Sequence, residues 1–303
     1  MIDLGIVILN WNTRDLLKRC LETVYTSEGD FSYQVVVVDN ASSDESTEIV
    51  RRDFPQAQLI ASASNGGYSY GNNLGLRALG YQDKGCTPKR GNSPVPRYAL
   101  LLNPDTEVPV RGLRDMIAFM DGRPEVGAAG PKLVLPDGSL DRACRRSFPT
   151  PIISLYHFLG LAKLFPNSPR FARYNMTYLP VDQEAEVDSV VGAYMQVRRE
   201  AIEAVGLLDE VFFMYGEDLD WAYRIKNAGW SVVYHPQVVV KHVKRAASRQ
   251  SQRAQLEFWR AMLIFYRKHY RTTTPLWLHS LIMTGLLLKG GRRVWVEMRQ
   301  PER

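Results

Sequence analysis

Short apolar runs alternate with amphipathic stretches along the first third of the chain. Leu4 to Leu9 is a strand-like run ended by Asn10-Trp11-Asn12; beyond it Leu16, Leu17, Cys20, Leu21 and Val24 recur at helical spacing, with Asn12 placed to cap that helix. Val35 to Val38 is four consecutive valines, the pattern of a strand covered on both faces. It ends in Asp39-Asn40-Ala41-Ser42-Ser43-Asp44, where Ser42 and Glu45 stand at capping-box spacing before a second helix. Leu59 to Ala61 predicts a third strand ahead of Asn65-Gly66-Gly67-Tyr68-Ser69-Tyr70-Gly71-Asn72-Asn73, which runs into a helix. Tyr98 to Leu102 predicts a fourth, stopped at Asn103-Pro104-Asp105 because proline cannot donate to a sheet ladder. Strand and helix in alternation predict an α/β fold with a parallel sheet.

The pattern is looser after Asp105. Leu113 to Met120 predicts an amphipathic helix, Val126 to Ala129 a short strand, and Leu133 to Leu140, through Pro136-Asp137-Gly138, a hairpin. Residues 141–186 are irregular; Arg142, Arg145 and Arg146 there read as a solvated basic loop, with acceptor or diphosphate contacts as the alternative. Residues 81–97 have little to bury and read as a mobile insertion. From Ser248 on, Leu256, Trp259, Leu263 and Tyr266 recur at helical spacing among arginines, and the 14 apolar-rich residues from Pro275 to Leu288 fall short of the ~20 a spanning helix needs. That stretch fits a helix lying in a membrane interface.

Charge sharpens this division. The net charge is +6, but residues 241–303 hold 14 Lys and Arg against 3 Asp and Glu, so the remaining 240 residues are mildly acidic. A basic tail carrying a greasy segment predicts an anionic membrane surface as partner and disfavours nucleic acid. Cys20, Cys86 and Cys144 make no CxxC pair, which argues against a zinc site or disulfide framework and suggests a reducing cytosol. The apolar N-terminus lacks a basic n-region and reads as a first strand, not a signal peptide.

Polar residues of one kind end the predicted strands: Asn10 and Asn12, Asp39 with Asn40, Asn65, and Asn103 with Asp105. Each alone is explained by a helix cap or an Asx turn. Together they mark the crevice beyond the strands' carboxyl ends, where α/β sheets bind ligands. Asp105, behind a rigid proline, is placed to hold a divalent cation against a diphosphate. No GxGxxG follows any of the strands, so a hydride-transfer enzyme is disfavoured. A second chemical centre lies at Phe212 to Gly229, where Glu217 and Asp218 open a helix in an aromatic setting of Phe212, Phe213, Met214, Tyr215, Trp221 and Tyr223. Acids in a first helical turn are stabilised by the macrodipole whatever their function; in such a wall they are also candidates for a tuned base beside a stacked sugar.

The blocks LNWN, VVDNASSD, NGGYSYGNNLG, LLNPDTEV, GAYMQVRREAIEAVGLLDEVFFMYGEDLDWAYRIKNAGW and VVVKH, in this order, resemble the family 2 glycosyltransferases, most closely their rhamnosyltransferase-like branch. The resemblance implies a GT-A fold over residues 1–245, with a nucleotide-binding half (1–107), an acceptor-binding half (108–245) and a basic helical tail (246–303). It implies Asp39 at the base, Asn10, Asn12, Asn40, Asn65, Asn73 and Asn103 around the nucleotide, and Asp105 as the last residue of a DXD-like metal motif whose first position is Asn103. It further implies Asp218, in the ED pair with Glu217, as general base, and His242 as a ligand to Mg2+ or Mn2+; Ser248 stands one residue off the family's usual spacing. The implied reaction is inverting transfer of a sugar, in this branch commonly rhamnose from a deoxythymidine diphosphate donor, to a saccharide or lipid-linked acceptor in cell-surface polysaccharide synthesis. The expected location is cytoplasmic, on the inner face of the cell membrane. Two other classes would use the same crevice: a sugar-phosphate nucleotidyltransferase, which would want a basic Gly-rich loop after the first strand, and a non-catalytic nucleotide-sugar-binding protein, which would not need Asp218.

Overall fold

The computed structural model describes residues 2–85, 94–244 and 252–299. The four apolar runs become β1 (Leu4–Asn10), β2 (Tyr33–Asp39), β3 (Gln58–Ala61) and β4 (Tyr98–Leu102), separated by α1 (Arg14–Tyr25), α2 (Ser46–Asp53) and α3 (Tyr68–Ala78). They pair in parallel in the order β3-β2-β1-β4. Both faces are covered, which is what the unbroken valines of β2 require, and all four are buried.

Beyond β4 follow β5 (Thr106–Glu107), α4 (Gly112–Asp121), β6 (Val126–Val134), α5 (Pro151–Phe158), α6 (Leu161–Leu164), β7 (Ala185–Glu186), β8 (Tyr194–Arg198), α7 (Arg199–Val205), α8 (Glu217–Asn227) and β9 (Ser231–His242). The same sheet continues β4-β8-β6-β9-β5, with β7 on β9. Here it is mixed: β8 runs antiparallel to both β4 and β6, while β6 and β9 are parallel. The expected hairpin closes through a single bridge between Val134 and Leu140. One hydrophobic core runs through both halves.

Two expected caps are absent, for the same reason. Asn12 adopts φ 52 and its side-chain oxygen accepts the Ser43 N–H at 2.8 Å, and the first N–H of α1, that of Arg14, is taken instead by Asp44 Oδ2 at 2.9 Å. Ser42 accepts hydrogen bonds from Asn10 Nδ2 and the Asn12 N–H, and the first N–H of α2, that of Ser46, goes to Asp44 Oδ1 at 3.3 Å. These rim residues tie neighbouring loops together across the sheet and so cannot serve their own helices.

Two further expectations are corrected by burial. Tyr81, in the stretch expected to have little to bury, sits in the core and donates its hydroxyl to the Pro96 carbonyl at 2.9 Å, closing the base of that segment; residues 86–93 lie outside the described residues. The arginines of 141–186 are not all solvated: Arg145 is buried, donates to the carbonyls of Leu179 and Pro180 at 2.7 Å, and lies over the Tyr234 ring.

The first tail helix, α9 (Gln252–His269), is part of the core. Ala261 and Phe265 pack into it, and the fully buried Asp220 of α8 meets His269 at 2.8 Å and Lys268 at 2.7 Å while pairing with Arg224 at 2.9 Å. Burial alone would raise the Asp220 pKa, but the His269 hydrogen bond and the two cations bring it down to about 2. The last helix, α10 (Leu276–Met298), is interrupted at Gly291 (φ 60) and packs on α9 around Leu263, Leu286 and Val294. Among the described residues, no helix is long and apolar enough to cross a membrane.

Candidate active site

The parallel register sets one rim of the sheet. Asn10 aligns with Asp39, Asp39 with Ala61, and Ile8 with Leu102, so Asn103 to Asp105 emerges beside Asn10. Along this rim the polar side chains form a network. Asn10 is buried and donates to Asp39 Oδ2 at 2.8 Å, while Asp39 Oδ1 accepts the Ser42 N–H at 2.8 Å. Asn40 donates to Asn65 Oδ1 at 2.9 Å and to the Gly67 carbonyl at 3.1 Å. Gly67, at φ 92, has no room for a Cβ, because one would collide with the Phe213 carbonyl oxygen; this loop can only close with glycine. Asn10, Asp39, Asn40 and Asn65 thus converge, and each Asp39 oxygen keeps a further lone pair for a ligand.

Asn73 is not open to a ligand in this way. It is fully buried; its amide donates to the Leu208 carbonyl and to Glu210 Oε1, and its oxygen accepts the Leu208 N–H. Its structural part is to hold α3 against the 207–210 loop. Asn103 lies at the rim, its backbone N–H bonded to the Ala193 carbonyl at 2.9 Å and its carbonyl accepting from Thr106.

At the next step along the rim, Asp105 Oδ1 lies 3.3 Å from His242 Nε2. The other ring nitrogen, Nδ1, is 2.8 Å from Asp141 Oδ2, and Lys244 Nζ contacts both Asp141 oxygens at 2.7 and 2.9 Å. The Val243 N–H donates to the Asp105 carbonyl at 2.8 Å, so β9 carries His242 to the loop after β4 through main-chain geometry. Burial works against a charged imidazole, but the hydrogen bonds to Asp105 and Asp141 raise His242 to about 9.

A divalent cation would suit this pair by taking the place of the Nε2 proton between His242 and Asp105. One carboxylate oxygen and one imidazole nitrogen 3.3 Å apart would be close enough to hold one divalent ion together. Asp141 sits on the far ring nitrogen, where it would orient the imidazole and not bind the ion. Among the described residues, no group of three or more His, Cys, Asp and Glu is arranged to hold a metal. The protein would supply two ligands and leave the rest to diphosphate and water.

The acidic helix start faces the same space. Gly216, at φ 80, turns the chain into α8, and Asp218 Oδ1 accepts the Leu219 N–H at 2.8 Å. Asp218 Oδ2 accepts from Arg146 at 2.6 Å and from the Gly192 N–H at 3.1 Å. Arg146 was among the arginines expected in a solvated loop; only 11% of its side chain is exposed, and it bonds the base candidate. Its backbone is bridged to Ser189, which fixes its reach. Tyr68 Oη donates to the Gly192 carbonyl at 2.8 Å, and its pKa is driven up by burial and by the charges of Glu217, Asp218 and Asp105. The tyrosine therefore stands between the two acidic centres. Of the expected aromatic wall, Phe212 and Trp221 are core residues, Trp221 donating to the Gly206 carbonyl; Phe213, Met214, Tyr215 and Tyr223 stay partly exposed.

Glu217 is buried and its Oε2 meets no hydrogen-bond partner. Burial, then the neighbouring Asp218 charge, pushes its carboxyl from 4.5 up to about 8. Because the folded state holds this proton more tightly than the unfolded chain, the proton is lost more readily on unfolding, and stability falls as pH rises from 4.5 toward about 8. Glu217→Gln is expected to flatten that fall in a series of thermal melts across the window. An unchanged slope would remove Glu217 as its source.

A sheet rim gathering amides and carboxylates, with a strand-end carboxylate facing a β9 histidine and an acidic helix start opposite, is the layout of a GT-A glycosyltransferase. The chain belongs to the family described as glycosyltransferase like family 2, whose model matches residues 3–257. It is 30% identical over 210 residues to the N-acetylglucosaminyl-diphospho-decaprenol L-rhamnosyltransferase of Mycobacterium tuberculosis, covering 69% of this chain and 66% of that protein. With the rhamnosyltransferase WbbL of Escherichia coli it shares 26% identity over 232 residues, 76% of this chain and 80% of that one. The fold is similar to a mannosyltransferase of Pyrobaculum calidifontis solved with GDP-Man and Mn2+, at a TM-score of 0.58 and 17% identity over 97% of this chain and 72% of that one. It is also similar to GalNAc-T7 solved with UDP, GalNAc and Mn2+, at a TM-score of 0.59 and 12% identity over 99% and 58%. The chain spans somewhat less than two thirds of the length of the first curated relatives it matches, 66% and 62%.

Proposed function

We propose that this enzyme is an inverting, divalent-metal-dependent transferase that moves a sugar, rhamnose by its relatives' names, from a nucleoside diphosphate to a hydroxyl of a lipid-linked saccharide. The observation that carries this reading is the approach of two centres, Asp105 with His242 and Asp218 with Arg146, on either side of Tyr68 and the 191–193 turn. Asn10, Asp39, Asn40 and Asn65 hold the nucleoside at the rim. Asp105 and His242 hold Mg2+ or Mn2+, which when bound neutralises the diphosphate leaving group. Asp218 accepts the proton from the acceptor hydroxyl as that oxygen bonds to the anomeric carbon; the bond from that carbon to the diphosphate oxygen breaks with its electron pair leaving on the diphosphate, and configuration inverts. The site works at the inner face of the cell membrane, in assembly of a cell-surface polysaccharide. Screening nucleoside diphosphates by thermal shift, with Mn2+ and with chelator, tests the donor side. One of them is expected to stabilise the protein with Mn2+, by about 2.7 kcal/mol at a hundredfold excess over Kd, and far less without. Equal stabilisation under both conditions would remove the metal from the proposal.

A further inference from the structure

Two segments far apart in sequence share an unusual charge pattern. From Arg142 to Val181 there is no Asp or Glu, and besides the inward-turned Arg145 and Arg146 the strip holds the exposed Arg142, Lys163, Arg170 and Arg173. From Phe258 to Val296 there is again no acid among several Lys and Arg. These strips also carry the most exposed large apolar side chains of the described residues: Leu159, Leu164 and Phe165 at 62%, 70% and 51% around α6, and Leu276, Trp277 and Leu288 at 84%, 63% and 81% on α10. The two strips touch, since α10 packs against α5 and Phe158 stacks on Trp259 with ring centroids 5.8 Å apart. The result is a composite face, apolar at its projections and framed by cations.

We propose that α5, α6 and α10 together form a docking face for an anionic lipid bilayer, lying in its headgroup layer with Leu164, Phe165, Trp277 and Leu288 inserted. Large apolar side chains left this exposed on helices in contact with one another mark an interaction surface. Its chemistry selects among occupants: a second copy would set one acid-free, cationic face against another, whereas an anionic leaflet attracts each Lys and Arg near it. The helices suit this use, because α5 and α6 are 8 and 4 residues long and can lie in an interface but not cross it. The face also adjoins the chemistry: α5 starts just after Arg146, which holds Asp218. Its use, delivering a lipid-linked acceptor to that carboxylate, rests on the reading proposed above; its existence as a lipid-binding face does not.

The test is flotation of the full chain with phosphatidylcholine vesicles, with and without phosphatidylglycerol, at low and high salt. Binding is expected only with phosphatidylglycerol, weakened but not abolished by salt. L164E/F165E, on α6, and L276E/W277E, on α10, should each reduce binding by about tenfold or more. Both pairs replace exposed side chains, so melting temperature and nucleoside-diphosphate stabilisation should stay as in the parent. Absence of binding by the parent chain would overturn the proposal. So would full binding by the α6 variant, which would leave α10 as sole anchor. Concentration-dependent self-association that either variant abolishes would assign the face to a second copy. If vesicle binding fails while Mn2+-dependent nucleotide binding stands, only this inference falls; if nucleotide binding fails while vesicle binding stands, it is the transferase reading that falls.

Discussion

Asp218→Asn is expected to bind donor nucleotide as the parent does and to lose turnover by roughly 10² to 10⁴, the span that a positioned general base contributes. The amide keeps the shape, but its single oxygen can accept only one of the two N–H groups, Leu219 or Gly192, that the two carboxylate oxygens now accept. What disappears is the proton acceptor and the partner of Arg146, 2.6 Å away and largely buried. An unpaired buried cation costs several kcal/mol unless another anion reaches it, and Glu217 is at hand. Its carboxyl is held up to about 8 first by burial and second by the Asp218 charge, so removing that charge lets Glu217 ionise nearer neutrality. The variant should therefore stay folded with a lower Glu217 pKa and still turn over slowly. Near-normal turnover would move the proton-accepting role to Glu217 or to the substrate.

The half of the fold built from local signals was legible in the sequence. Unbroken apolar runs located β1, β2, β3 and β4 to within two residues at each end, and the alternation with helical periods predicted their parallel pairing. Strand β8 was not readable, because Tyr194 to Arg198 is followed at once by α7 and includes Gln196, fully buried with neither side-chain polar atom bonded. Its antiparallel place between β4 and β6 is set by long-range pairing, which leaves no local period.

The candidate site divides along the same line. Asn10, Asp39, Asn65 and Asp105 stand at strand ends and announce themselves by position. Arg146 and Asp141 do not: each lies in irregular chain and gains meaning only from a partner far away, Asp218 and His242 respectively. Lone charges in such a stretch look solvated, and nothing nearby in sequence marks them as buried. The one available signal was the lack of any acid from Arg142 to Val181, which leaves those arginines without a local counter-ion. The tail misled in a related way: its net charge drew attention to a surface, while α9 docks on the core through Ala261 and Phe265 and through Lys268 and His269 on the buried Asp220.

Asp105→Ala is expected to abolish the Mn2+-dependent part of nucleotide binding while leaving the fold intact. The loop is held by its main chain, through the Val243 N–H to the Asp105 carbonyl at 2.8 Å and the Thr106 N–H to the Asn103 carbonyl at 3.2 Å, and these bonds survive the change. Among the described residues Asp105 is the carboxylate that meets His242 Nε2, with Asn103 and not an acid two positions before it, so its loss would leave a single imidazole. Replacing groups that merely orient a metal ligand costs about 10- to 100-fold in metal affinity. Asp141→Asn, behind the ring, should fall in that range, and removing the ligand itself should cost more. Isothermal titration of the nucleoside diphosphate with and without Mn2+ separates the contributions: the Asp105→Ala variant should retain the metal-independent affinity supplied by Asn10, Asp39, Asn40 and Asn65 and lose the increment. If Asp105→Ala still gains the parent's full increment from Mn2+, the ion binds elsewhere, and the pairing of Asp105 with His242 is a structural contact between β9 and the loop after β4.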